Sequence, residues 1–556
     1  MIRSRIQVFG RKTIARKPNI DSLSNILGRK IIVRNTSSLA TSQPESSSIL
    51  SNYNERIEEI RKNELTYYPT YSSFQKDGYV TVRVPEFVER YKGLEDKSSD
   101  PICVEGRIHS IRRISKVLYF VDIVQDNHKL QVIFNNKSMG LSKEDFESAN
   151  SQLCKNDHVS VWGYPVRTKA GELSLRADQA LRIVSPFLRV PIERLEHREK
   201  VNANRVMNYI VNPQQKDILY KKAIVTNSIR QYLTGDGFLE VQTPIIAGMG
   251  TGANAEPFST NAKALGSDSS LCQLRVAPEL WLKKLVISGF DKVFEIGQNF
   301  RNEGIDGSHN PEFLTCEFYR SHTDLAKLMQ MTEEIFKSIL NNLKGKEKIS
   351  DELKEVLTSG QFARYEFIPT LESKTGIPLP SELNSENLME YFKSVNVPIP
   401  AQKSPQNLLD TLCGIYIEPL SVTEQGGLPI FIFNQPAIMS PLAKSKKITY
   451  TDGREYLISL RFELFINGKE YVNSYEEENS PFEQLEKFRN QVESKNEFED
   501  RDSLVPDWEY VKAMEYGLPP TGGWGCGIDR LTMLFSGCDR IEQVLPFGSL
   551  KDVVRQ

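Results

Sequence analysis

Residues 291 to 321 read DKVFEIGQNFRNEGIDGSHNPEFLTCEFYRS, two runs of alternating apolar and polar residues on either side of a glycine-bearing gap. Period-two alternation marks a strand with one face on a core and one face open, so the stretch must fold as strand, loop, strand. On the first run Phe294, Ile296 and Phe300 alternate with Glu295, Gly297, Asn299, Arg301 and Glu303, which sets Arg301 and Glu303 on one side. On the second, Phe313, Thr315, Glu317 and Tyr319 share a parity. An arginine, two acids, a phenol and an aromatic ring thus converge over one sheet face. There a guanidinium can grip a phosphate by two parallel hydrogen bonds, and the loop residue His309 can reach outer phosphates. The competing reading is a solvated surface hairpin with ordinary ion pairs.

Two further blocks bear on that choice. In RFELFINGKEYVNSYEEE, Asn467 and Gly468 form a two-residue hairpin turn. The expected register pairs Phe465 with Glu470 and Glu463 with Val472. Glu463 and Glu470 then become diagonal neighbours on one face, close enough to share a divalent cation, magnesium being the natural ion beside phosphate. In GLPPTGGWGCGIDRLTMLF, Gly523, Gly525 and Gly527 leave one strand face bare, against which a flat ligand could lie under Arg530. A dinucleotide fold is the rival for that block. Its spacing is GxGxG, however, and too little chain follows for a βαβ unit.

The chain of 556 residues has room for two or three domains, and its net charge of -2 means that any nucleic-acid surface must be local. Its seven cysteines are scattered without metal-ligand spacing, which reads as free buried thiols. No apolar run approaches the roughly 18 residues of a membrane helix. Residues 1–45 carry nine Lys and Arg against Asp21 ahead of Glu45, the composition of a mitochondrial transit peptide, with a basic RNA-binding arm as the alternative. Residues 46–100 form a helical extension in which YNERIEEIRKNEL predicts one short amphipathic helix. Residues 101–188 hold five short strands with turn residues between them, a small closed barrel of the OB type. Such barrels bind single-stranded nucleic acid by stacking and nearby cations, for which Arg112, Arg113, Phe120, Gln131 and Glu172 are candidates. A purely structural barrel is the alternative. A proline-marked linker, 189–215, leads into a domain over 216–556 with a helical insertion around 345–420.

GFLEVQTP, FRNEGIDGSHNPEF and GGWGCGIDR resemble the three signature motifs of the class II aminoacyl-tRNA synthetases. Together with LRVAPELWLKKL, MSPLAK and ELFINGKEYVNSYEE, the chain from about Pro101 to Leu550 is similar to the lysyl-tRNA synthetases, here in a mitochondrial form. The resemblance implies an α+β fold: an antiparallel six-stranded catalytic sheet flanked by helices, with an N-terminal OB-fold anticodon barrel. It further implies a homodimer joined partly around Pro244, and a soluble enzyme of the mitochondrial matrix. Such an enzyme uses ATP and Mg2+ to make lysyl-adenylate and pyrophosphate, then passes lysine to the 3′ end of tRNA(Lys).

Carried onto this sequence, Arg301, Glu303 and Arg530 would be the catalytic groups. Arg301 and Glu303 would hold the α-phosphate and adenine, His309 and Asn310 the distal phosphates, and Phe313 with Arg530 would sandwich the adenine. Asn302, Glu470, Tyr471 and Gly527 complete the ATP set, and Glu463 with Glu470 would ligate the metal. Gly252 and Glu279 match the α-amino site, Asn473 the carboxylate site and Glu317 the pocket wall. Tyr319 and Glu477 match the groups that receive the substrate's side-chain ammonium. Arg112, Phe120, Gln131 and Glu172 match the anticodon readers.

Strict alternation would place Asn473 and Glu477 opposite Glu470, so a single site requires a β-bulge or strong twist between Glu470 and Asn473. Thr251 and Glu256 depart from the family's usual glycine and basic residue, and the tail VLPFGSLKD departs from its usual ending. An aspartate-type ligase or protein-lysylating relative of the same fold, and a catalytically silent RNA-binding paralogue, are the other readings.

Overall fold

Alternating sequence and turn residues build two compact units, and the described residues up to 190 belong to the first and those from 194 to the second. The computed structural model describes residues 45–190, 194–248, 252, 255–266, 271–498 and 506–555, so the basic segment before residue 45 and Thr251 lie outside the described residues. Among the described residues no helix is long and apolar enough to cross a membrane, and all seven cysteines are free.

The first unit opens on helix α1 (Glu45–Lys62), which begins well before the amphipathic stretch read from sequence. Arg56 on α1 donates to both oxygens of the buried Asp157 at 2.8 and 2.7 Å, and the Tyr53 hydroxyl donates to Phe187 O at 2.7 Å. These contacts pin the helix to the barrel it precedes. The rest of the extension is not one helix: it adds short helices at Glu64–Tyr67 and Val84–Tyr91 and a strand at Val80–Thr81.

The barrel strands are β1 (Ile102–Ser115), β2 (Leu118–Gln125), β3 (His128–Asn135), β4 (His158–Arg167) and β5 (Leu173–Ala177). They pair in the order β1-β2-β3-β5-β4, and β4 closes on β1. The β3–β5 pairing is parallel and the others antiparallel. Val104, Val121, Ile123, Val132, Phe134, Val161 and Leu175 fill the interior, as alternation demands. The last stretch, read as one strand, breaks at residues 178–181 into β5 and a separate strand, Arg182–Ser185.

In the second unit, helices α2 (Gln214–Gly235) and α3 (Glu279–Ile287) precede the hairpin β6 (Lys292–Phe300) and β7 (Glu312–Ser321), and α4 (Leu325–Leu343) follows it. After the helical insertion come β8 (Ile430–Phe433), β9 (Arg461–Ile466), β10 (Lys469–Glu476), β11 (Thr521–Gly527) and α5 (Ile528–Ser536). The strands β8-β9-β10-β11-β7-β6 form the expected six-stranded antiparallel sheet, and the short parallel strands Ala363–Glu366 and Leu239–Glu240 extend its two edges.

One face of the sheet buries Phe294, Phe318 and Trp524 under Val225 and Ile229 of α2 and Leu328, Ile335 and Phe336 of α4. Strand β11 is glycine-rich, a composition unsuited to a strand. It is held by ladders on both sides, by Trp524 stacked on Phe318 with centroids 5.0 Å apart, and by the Trp524 indole N–H donating to Thr332 at 2.9 Å. The insertion's helices, Phe367–Thr375, Ser385–Ser394 and Pro405–Tyr416, bury a core of their own at the β8 edge.

Candidate active site

The open sheet face, opposite the helix-covered one, carries a cavity of ≈ 460 Å³, within the range of small-molecule sites. Gly523, Gly525 and Gly527 line it, and Gly523 must be bare. A Cβ on Gly523 would collide with Glu477 Oε1 and stand 2.7 Å from the Tyr319 ring. Around that floor stand Gly252, Glu279, Arg301, Glu303, His309, Asn310, Phe313, Glu317, Tyr319, Glu463, Glu470, Tyr471, Asn473 and Arg530. Two of the residues expected there are not on the wall. The β6–β7 ladder ends at Phe300 opposite Glu312, and Asn302 turns away to donate its N–H to Glu256 O at 2.7 Å. Glu477 sits behind the wall, beside Gly523 and Tyr319.

A bulge brings the β10 residues together. Phe465 pairs with Glu470 as expected, but Leu464 pairs with Val472 and Glu463 with Asn473, which leaves Tyr471 as an extra residue on β10. The register read from sequence, Glu463 opposite Val472, is therefore corrected by one. The expected irregularity between Glu470 and Asn473 is present. It turns Glu470, Asn473 and Tyr475 toward one face with Glu463 and Arg461.

At one end the groups suit phosphate. Arg301 lies 5.2 Å from the Phe313 ring centroid, and its Nε is buried with no partner among the described residues. Arg530 donates to Glu470 O at 3.0 Å and to His309 Nε2 at 2.8 Å. His309 Nε2 therefore accepts, and its Nδ1–H donates to Asp306 at 2.9 Å. Asn310 is used internally: its amide donates to Glu312 O at 2.7 Å, and its Oδ1 accepts from Leu550 N at 2.9 Å. Leu550 belongs to the tail whose sequence departs from the family, and the tail is thereby tied to the hairpin loop.

Glu463 pairs with Arg461 and accepts from Gln435 at 3.2 Å. Burial pushes its carboxyl up to about 7 against the pull of Arg461, with Glu470 adding to the rise. Among the described residues no cluster of three or more acidic, His or Cys side chains could hold a metal. Two carboxylates facing a phosphate site match magnesium, which takes one or two carboxylates and completes its shell with phosphate and water.

At the other end the groups suit cations. Burial and the nearby Glu279 push the Glu317 carboxyl up to about 8, against Arg301 and Arg275. The Tyr475 hydroxyl donates to Glu279 Oε1 at 2.6 Å. Lys283 donates to Glu279 Oε1 at 2.8 Å and to Glu477 Oε2 at 2.9 Å. Burial alone would discharge this ammonium, but the two carboxylates outweigh it and hold the lysine well above its ordinary value. Glu477 Oε1 is buried without a partner among the described residues. The neighbours of Glu477 are committed elsewhere. Glu476 accepts from Leu325 N at 2.9 Å at the start of α4, while Glu478 pairs with Lys444 and Lys487 at 2.9 and 2.8 Å.

On the barrel, Arg112 stands opposite Phe120, its guanidinium 5.6 Å from the ring centroid. Gln131 pairs with Asp122 on one side and Ser174 on the other, accepting from the Ser174 hydroxyl at 3.0 Å. Glu172 is exposed just before β5. The four candidates thus share one region of the barrel.

Sequence reasoning missed Arg461, Tyr475 and Lys283 in the second unit and Asp122 in the barrel. Each had a signal: Arg461 and Tyr475 share parity with Glu463 and Asn473, and Lys283 follows Glu279 by one helical turn. Asp122 shares the parity of Phe120, and it pairs with Arg112 and Lys129 at 3.4 and 3.8 Å.

The pattern described as tRNA synthetases class II (D, K and N) matches residues 197–551, and that of the OB-fold nucleic acid binding domain matches residues 102–183. The sequence is 38% identical over 517 residues to a mitochondrial lysine–tRNA ligase of Schizosaccharomyces pombe, covering 90% of this chain and 94% of that protein. It is 37% identical over 546 residues to a mitochondrial lysine–tRNA ligase of Saccharomyces cerevisiae, covering 90% and 92%. To a lysine–tRNA ligase of Thermotoga maritima it is 33% identical over 504 residues, covering 89% and 94%.

Proposed function

The chain belongs to the class II tRNA synthetases, and within them to the lysine–tRNA ligases, and from this premise we infer how its cavity joins lysine to tRNA(Lys). It is an ATP-dependent ligase that makes lysyl-adenylate and pyrophosphate and then charges the 3′ end of the tRNA. The observation that carries the assignment to lysine is the buried, unpartnered Glu477 Oε1 beside Tyr319. Glu477 already pairs with Lys283 through Oε2, yet burial still pushes its carboxyl up to about 8, so its ionised form stays costly until a second cation reaches Oε1. A lysine side chain supplies that cation, whereas an aspartate side chain would add a second negative charge.

ATP lies at the arginine end, its adenine between Phe313 and Arg530 and its α-phosphate on Arg301. The unpaired Arg301 Nε supports that placement. Glu303 faces the adenine, while Tyr471 and Gly527 form the adjoining wall. His309 meets the distal phosphates, with Asn310 fixing the loop that carries it. Glu463 and Glu470 would hold Mg2+, which when bound neutralises phosphate charge.

Lysine lies with its α-ammonium at Gly252 and Glu279, its carboxylate near Asn473, and its side-chain ammonium between Tyr319 and Glu477, with Glu317 along the stem. Its carboxylate, already ionised at neutral pH, attacks the α-phosphorus in line, and pyrophosphate leaves. No residue has to take a proton in this step, so catalysis is positioning and charge stabilisation by Arg301 and Arg530. The terminal tRNA hydroxyl then attacks the adenylate carbonyl and displaces AMP, the hydroxyl proton leaving with the AMP phosphate. Arg112, Phe120, Gln131 and Glu172 read unpaired anticodon bases by stacking and edge contacts.

The mitochondrial names of the fungal relatives and the basic segment before residue 45 support import into the mitochondrial matrix. A homodimer joined around Pro244 completes the proposal. Amino-acid-dependent exchange of pyrophosphate into ATP tests the reaction. Exchange with lysine and not aspartate is expected, and exchange with neither would return the chain to the silent RNA-binding reading.

A further inference from the structure

Glu279 and Glu477 come from different parts of the fold, the first turn of α3 and the residue after β10, and a single cation joins them. Lys283 follows Glu279 by one helical turn on α3, its side chain is wholly buried, and its Nζ donates to Glu279 Oε1 at 2.8 Å and Glu477 Oε2 at 2.9 Å. The Tyr510 ring lies 5.0 Å from the ammonium. On Glu477 the bond uses one oxygen and leaves the other, Oε1, buried and unpartnered among the described residues. On Glu279 both Lys283 and Tyr475 bond the same oxygen, Oε1.

We propose that Lys283 is a positioning residue for substrate selection: it fixes the separation of the two carboxylates that receive the substrate's two ammonium groups, and thereby selects lysine by side-chain length. The inference rests on the function proposed above. A pocket that only buries methylenes discriminates weakly against a chain one methylene shorter, whereas a site whose fixed polar groups are left unpaired by the shorter chain discriminates strongly. Without Lys283 the two carboxylates repel each other, and Glu477 is free to follow a shorter substrate. The register between the two anchors is then lost.

The test is pyrophosphate exchange by the full chain with lysine and with ornithine, for the unsubstituted protein and for Lys283→Met, which keeps the stem and removes the charge. We expect the KM for lysine to rise about tenfold or more and the lysine-to-ornithine ratio of kcat/KM to fall by about the same factor. The KM for ATP should stay within about twofold, the split that separates selection from general damage. A Lys283→Met protein with the ornithine ratio unchanged overturns the inference. Should that variant fail to accumulate as soluble protein, Lys283→Gln is measured in its place, and insolubility of both also overturns it, since Lys283 would then serve folding. If the unsubstituted protein shows no lysine-dependent exchange, it is the proposed function that fails.

Discussion

Substituting Glu477→Gln keeps the volume of the side chain and removes its charge. In the free protein the loss is softened, because Lys283 retains Glu279 at 2.8 Å, so folding should survive. In the complex nothing replaces the anion, for Glu476 caps α4 and Glu478 is held by Lys444 and Lys487. Breaking a buried ion pair by neutralising one partner costs about 3–5 kcal/mol. Because the same change relieves the desolvation of the unpartnered Oε1 in the empty site, the lower end applies, about 3 kcal/mol. That is a loss of roughly 150-fold in kcat/KM for lysine. The assay is pyrophosphate exchange at varied lysine and at varied ATP, where the ATP KM should hold within about twofold. Glu478→Gln is the control and should lower thermal stability while leaving the lysine KM alone. Unchanged lysine kinetics in Glu477→Gln would refute the assignment of the ammonium site.

Three other substitutions test the rest of the site. Gly523→Ala sets a Cβ against Glu477 Oε1 and the Tyr319 ring; it should cost about 1–3 kcal/mol of stability and abolish lysine-dependent exchange, and wild-type exchange would refute the bare floor. Phe120→Ala should leave exchange intact and lower kcat/KM for tRNA by roughly 5- to 150-fold, as for a lost base stack, measured by aminoacylation. Glu317, raised from 4.5 to about 8 by burial and Glu279, carries stability that is fully present below pH 4.5 and lost as pH rises through 8. Glu317→Gln should therefore raise the melting temperature of the ligand-free protein at pH 9 relative to its effect at pH 4, and an equal effect at both would refute the shift.

How much of this could be read beforehand follows from which rules are local. Side-chain parity is local, and it placed Phe313, Glu317 and Tyr319 over one face and the glycines of β11 on one side of their strand; the six antiparallel strands around them followed from the family resemblance and not from any local rule. The hairpin turn was equally legible, since Asn467 and Gly468 both take positive φ. The short edge strand Leu239–Glu240 was hidden because two residues carry no period. Asn302 rested on the family resemblance alone, since alternation sets Arg301 and Glu303 on one side and the ladder itself stops at Phe300. Lys283 was hidden for a different reason: it makes an ordinary i,i+4 pair with Glu279, and only the tertiary fold shows that the same ammonium also holds Glu477. The bulge was inferred from the demand that Glu470 and Asn473 serve one site, not from any propensity of Tyr471.

That extra residue gives β10 something like a reading frame. Glu470 and the Asn473–Glu477 segment are separated by an odd step, so their agreement in direction depends on the one unpaired residue between them. Removing Tyr471 alone would delete one side chain from the strand, yet it would restore a flat ladder and turn the ATP end of the strand away from the lysine end. Two residues could be lost from or added to a regular stretch of such a strand with less harm than one at this point. In this strand the count of residues, as much as their identity, keeps the two substrates on the same side of the sheet.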